Sequence, residues 1–256
     1  MLRKMFLSLL LITFLASGAA RPQSSSLSAS RSGWIAGVTN SGNITASNAN
    51  TLGGWGHFSL GVDASLAHPK VAGTPVTASA VSATLCTGIL KGRNLGPVVH
   101  GLGSLDFYFK TGRLTVNGRN SESSGLWGTG VRLGVLRNSI ITPAVSLSLG
   151  YNSSGEIPLE RALSYGISSS PKSNFSSLAL RLDVSKNFFW LTPFAGVGIN
   201  RNRMEQKIGS VRAETKATEN IGYAGVEWNL FLFRIGLELG RTGEELFGSL
   251  GVRLAI

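Results

Sequence analysis

The chain has one cysteine, Cys86, in 256 residues. A single thiol cannot form an internal disulfide, so the fold is not a stapled scaffold, and Cys86 reads as a small apolar strand residue. Histidine is nearly as scarce: only His57, His68 and His100 occur. No spacing places an acid beside any of them, as a histidine-dependent hydrolase requires. The motifs G-x-S-x-G and H-E-x-x-H and paired metal-ligand spacings are missing. The expectation is therefore no catalytic residue, no metal, no cofactor and no enzyme, with hydrolysis the weakest of the function classes. Charge is sparse too, at 14% of residues, and acids are outnumbered 13 to 24, for a net charge of +11. The cations are scattered and form no compact basic helix, which argues against nucleic acid. In an exported chain, an anionic lipid headgroup or polysaccharide suits that charge better.

Past the N-terminus no long apolar run occurs. The first 20 residues carry Arg3 and Lys4, the run "MFLSLLLITFLA" and the small residues "SGAA". That is the pattern of a secretory signal cut after Ala20. Its apolar run of 12 residues is too short for a spanning helix, which needs about 20. Glycine is abundant at 33 residues and the mean hydropathy is +0.17. An exported, glycine-rich, apolar chain without a spanning helix points to a closed sheet in a membrane, because lipid leaves no partner for an open strand edge.

From Trp55 onward ten period-2 segments follow one another. Leu105, Phe107 and Phe109 oppose Asp106, Tyr108 and Lys110; Leu178, Leu180 and Leu182 oppose Arg181 and Asp183; Ile235 and Leu237 oppose Arg234 and Glu238. In a water-soluble sandwich the apolar rows would share a core. The segments are long for that, at 11 to 14 residues against about 5–6 in soluble strands. The polar rows are mostly Gly, Ser and Ala, as a narrow lumen requires. Residues 111–124, 152–172 and 202–216 read as long loops at one end, facing short turns at the other. The sequence ends in "SLGVRLAI", still alternating.

With the signal, the loop sorting and an ending of Ser249, Gly251, Leu254 and Ile256, the mature chain resembles bacterial outer-membrane β-barrel proteins. The departure is Ile256, where such proteins usually end in an aromatic. The resemblance implies an all-β, antiparallel up-and-down transmembrane barrel over residues 55–256, of ten strands, with 12 or 8 as alternatives. It also implies outer-membrane localisation, lipid and lipopolysaccharide as surroundings, and barrel-assembly machinery reading those four terminal residues. Residues 21–54 form a periplasmic lead-in or a plug. Leu180, Leu182, Leu237 and Leu250 should face lipid, with Trp127, Tyr151, Trp190 and Trp228 as the interfacial aromatics.

The expected lumen charges are Asp63, Asp106, Lys110, Arg132, Arg181, Asp183, Glu227, Arg234, Glu238 and Arg253. They either pair and fill the barrel or line a narrow pore for small solutes. A pore or facilitator, and a non-conducting structural or adhesive barrel acting through its loops, both remain open.

Overall fold

The computed structural model describes residues 48–255, apart from 69, 72–73, 96–98, 164–171 and 209–210. The expected signal at 1–20, most of the lead-in and Ile256 lie outside the described residues. Ten strands form one closed antiparallel barrel. They are β1 (Phe58–Ala67), β2 (Thr77–Leu90), β3 (Ser104–Asn117), β4 (Ser121–Leu136), β5 (Ala144–Ser154), β6 (Lys172–Ser185), β7 (Leu191–Ile208), β8 (Val211–Leu230), β9 (Phe233–Thr242) and β10 (Glu245–Ala255). Consecutive strands pair, and β10 closes on β1 in the register Asp63↔Gly251 and Leu60↔Leu254. A five-residue helix, α1 (Leu159–Leu163), lies between β5 and β6.

Both β1 and β10 have their outer termini at one end, here called the turn end; the other is the loop end. Around the middle of the wall the outer row is apolar and exposed: Val62, Leu85, Phe107, Phe109, Val131, Leu149, Leu180, Leu237 and Leu250 all belong to it. The inner row is polar or small. This is the alternation of a barrel with lipid outside. Trp127 and Tyr151 touch at 5.4 Å between centroids in the loop-end half, while Trp190 and Trp228 lie near the turn end.

Nearer the loop end the alternation inverts. On β3 the outward residues become Thr111, Arg113 and Thr115, and the inward ones become Gly112, Leu114 and Val116; Leu114 and Val116 are fully buried. The same exchange puts Phe175, Met204, Ile221 and Phe247 inside, while Arg201, Arg203 and Asn220 stand outside. The wall continues above the apolar belt with a polar outer row. This corrects the expected loops. Most of residues 111–124 and 202–216 is strand, and the connections there shrink to 118–120 and 209–210. By residue count the connections do not sort into long and short ends, since 91–103 at the turn end exceeds 118–120 at the loop end. A row that changes from apolar to polar was mistaken for a strand that stops.

Inward glycines have a specific partner. Tyr108 pairs with Gly130, Tyr223 with Gly196, Phe194 with Gly225 and Phe247 with Gly240, each directly across the ladder. In all four cases a Cβ on the glycine would collide with the facing ring. Small against large lets a narrow barrel take aromatic rings flat against its wall.

Candidate functional site: the lumen and its two stoppers

Nine of the ten expected lumen charges are almost wholly buried inside the barrel: Asp63, Asp106, Lys110, Arg132, Arg181, Asp183, Glu227, Glu238 and Arg253. Arg234 is half-buried at the turn end. The strands β1, β3, β4, β6, β8, β9 and β10 each contribute at least one, because each lies on the inward parity of its strand. Asp183 accepts from Ser148 Oγ at 2.9 Å and from the Tyr223 hydroxyl. The Arg181 guanidinium lies 5.1 Å from the centroid of that same ring. Thr84 donates to Asp63 at 3.0 Å, and Lys110 has Asp63 and Glu238 as charge neighbours. Glu227 pairs with Arg253, and with Arg234 at 3.8 Å.

At the turn end, residues 48–54 lie inside this network. Asn48 donates to Glu227 at 2.9 Å and accepts from Ser185 Oγ at 3.1 Å. The Arg132 guanidinium donates to the carbonyls of Asn48 and Asn50 at 2.9 and 3.0 Å. The amide of Leu52 donates to both Asp106 oxygens at 3.0 and 3.1 Å, and Thr51 bonds Ser104 at 2.7 Å. Backbone groups that would otherwise be orphaned are thus matched to lumen charges. Gly53 and Gly54 leave the lumen at φ +102 and +106, a region open to glycine at no steric cost. Inward Gly88 makes room, since a Cβ there would strike the Gly54 backbone. Beside this mouth, Lys186 Nζ donates to the carbonyls of Ser139, Ile140 and Thr142 at 2.6, 2.9 and 3.1 Å. Burial holds that ammonium below the usual lysine range, and the three carbonyls satisfy its donors.

At the loop end the filling is apolar. Ile157, Leu159 and Ala162, on or beside α1, are buried against Leu114, Val116, Leu126 and Phe175. The segment is held down by Ile157 pairing with Ser173, by the amides of Arg119 and Asn120 donating to Ala162, and by an Arg161–Glu122 ion pair of 3.3 Å. Sequence reading missed this stopper, because Leu114, Val116 and Ile157 had been assigned to loops. For Leu114 and Val116, inward parity relative to Asp106 and Lys110 on the same strand is the signal that reveals them; Ile157 carries no such signal.

Of the expected assembly residues, Ser249 and Gly251 face the lumen and Leu254 lies on the outer row opposite Phe233. Cys86 is buried on the inner row. His57 sits before β1, where its Nδ1 lies 3.3 Å from the Gly54 carbonyl. No group of three or more His, Cys, Asp or Glu placed to hold a metal occurs among the described residues.

No family model matches the sequence, and no curated protein matches it. Among solved structures, the translocator domain of autotransporter NalP from Neisseria meningitidis is similar at a TM-score of 0.58 and 10% identity, over 90% of this chain and 99% of that one. The COG4313 outer membrane channel from Pseudomonas putida F1 follows at 0.46 and 10%, over 81% and 98%. Ail of Yersinia pestis gives 0.39 and 10%, over 79% and 99%. The fold is that of an outer-membrane β-barrel.

Proposed function

We propose that this protein is an integral outer-membrane barrel of the structural or adhesive kind, loop end outward, whose lumen is filled, polar in one half and apolar in the other, and is not a passage. One observation carries the reading: residues 48–52 are bonded to Glu227, Arg132, Asp106 and Ser104 inside the barrel. The stopper around Ile157 and Leu159 closes the opposite end independently. A filled barrel leaves recognition to its outer surface. There the β7–β8 hairpin rises above β9: residues 211–220 of β8 have β7 as their only ladder partner. Ten residues of strand span roughly 30 Å.

Planar-bilayer recording of the refolded full-length chain tests this, with no stepwise conductance expected. Stable porin-like steps from the intact chain would overturn the closed reading and restore the pore. Cysteines placed at Ser121 and Thr215 should react with a membrane-impermeant maleimide on intact cells. Labelling only after the outer membrane is opened would invert the orientation.

A further inference from the structure

The outer face of the barrel has a second feature, unrelated to the lumen. Across β5 to β8 the outward residues form rows of cross-strand neighbours. One reads Leu147–Leu182–Val197–Gly222, the next Leu149–Leu180–Ile199–Asn220, and the third Tyr151–Leu178–Arg201–Thr218. A depression of about 360 Å³ opens in the outer wall between Leu147, Leu180, Leu182, Val197 and Ile199, with Gly198 at its floor and Asn220 at its edge. Beside it, toward β9, Gly222 leaves the outer face open, because nothing lies within 4 Å of where its Cβ would be. The lower rows are apolar and the third begins the cationic zone.

Arg201 stands immediately above the depression, exposed, with no ion pair among the described residues. Thr218 is its cross-strand neighbour and Asn220 lies in the row below, both with side chains on the same outward face. On the far side of Gly222 stands Arg241, also outward and exposed. The outward zone above the inversion carries Arg113, Lys172, Arg201, Arg203, Lys207, Arg212, Lys216 and Arg241 against Glu156, Glu205 and Glu214, with Lys172 taken up by Glu156 at 2.8 Å. Glu214 is occupied by Arg203 and Lys216, both at 2.9 Å, and Glu205 by Arg203 at 2.6 Å. The row next to lipid is therefore left with uncompensated positive charge. The touching pair Trp127–Tyr151 includes a residue of the Arg201 row, and aromatics of this kind are enriched at membrane interfaces.

We infer that the outer face of β6–β8 binds one phosphorylated glycolipid of the outer leaflet, an acyl chain lying in the depression and a phosphate seated on Arg201. Thr218 and Asn220 supply neutral donors beside that phosphate, and Arg241 a second cation across Gly222. An apolar slot topped by a guanidinium matches a molecule that joins a fatty chain to a phosphate, and guanidinium donors suit phosphate oxygens. The loop-end position assigns the lipid to the outer leaflet; in this the inference rests on the orientation proposed above.

The test uses the full-length protein refolded in neutral detergent and titrated separately with purified lipopolysaccharide, with the same glycolipid stripped of phosphates, and with phosphatidylglycerol. Native mass spectrometry reads stoichiometry and affinity. One phosphorylated glycolipid per barrel is expected. The stripped form and phosphatidylglycerol should each bind at least tenfold more weakly. Arg201→Gln removes the phosphate seat, and Gly222→Leu fills the open face beside the slot. Each should weaken lipopolysaccharide at least tenfold while keeping the heat-dependent gel shift of the folded barrel. Lys91→Gln, at the turn end, should change nothing. Wild-type affinity in both Arg201→Gln and Gly222→Leu would overturn the site. Equal binding of phosphatidylglycerol would overturn the assigned lipid. Failure of the wild-type chain to show the gel shift would instead sink the membrane reading, and the maleimide experiment separately reports a wrong orientation.

Discussion

The two halves of the lumen are filled by opposite chemistry within one continuous wall. The turn-end half holds Glu227, Arg253, Arg132 and Asp106 around an extended segment. The loop-end half holds Leu114, Val116, Phe175 and Phe247 around a short helical turn. The difference follows from what each inserted segment brings. Residues 48–52 enter extended, with bare amides and carbonyls that need polar partners. Around α1 the backbone finds partners in its own turn and in the loop above β3, leaving Ile157 and Leu159 to present only side chains. An apolar wall then suffices, and burial of aliphatic surface supplies the stabilisation.

The sharpest way to break the contrast is Glu227→Leu. It removes the acceptor of Asn48 and the carboxylate that stands between Arg253 and Arg234. Losing one member of a buried ion network costs about 3–5 kcal/mol, read as a lower urea midpoint in detergent micelles. A near-neutral result would mean that water, not protein, satisfies that half. Leu114→Ala is the loop-end counterpart. Fully buried in the apolar cluster, it should cost about 2–5 kcal/mol by transfer and cavity effects. Conductance should stay at baseline, because the polar half still closes the barrel.

Asn48→Ala is expected to cost about 1–3 kcal/mol, the penalty for leaving buried polar partners unmatched. Protease should then reach the residues before Trp55 more readily, and the loop-end half should be unaffected; cleavage there instead would show that the halves are coupled. The smallest effect belongs to neither half. Arg203→Ala breaks two exposed ion pairs, to Glu205 and Glu214, and should change the midpoint by about 0–1 kcal/mol. That difference should fade in high salt, while the Glu227→Leu deficit should persist.

Much of the wall was legible because a strand's side-chain period is two, so one charged residue assigns a whole row. Asp106 and Lys110 put Tyr108 inside, and Arg181 and Asp183 put Leu180 and Leu182 outside. The loop-end half was misread for the same reason. Alternation was tracked by which parity is apolar, and at Thr111, Phe175 and Ile221 that parity exchanges while the strand continues. The partnership of Tyr108 with Gly130, or Phe194 with Gly225, was not legible either. Residues 22 and 31 positions apart meet only once the ladder registers are set.

By itself the sequence determined that the chain forms a barrel of ten antiparallel strands with charges inside and leucines outside, since local alternation and strand length depend on near neighbours. Only the tertiary structure decided what fills the barrel. Whether Asn48 meets Glu227, 179 positions away, or Ile157 meets Leu114, depends on the closure of β1 on β10 and on which turn each inserted segment follows. No local pattern encodes that, because a buried polar atom or an aliphatic side chain is stabilised by whatever the closed wall places opposite it.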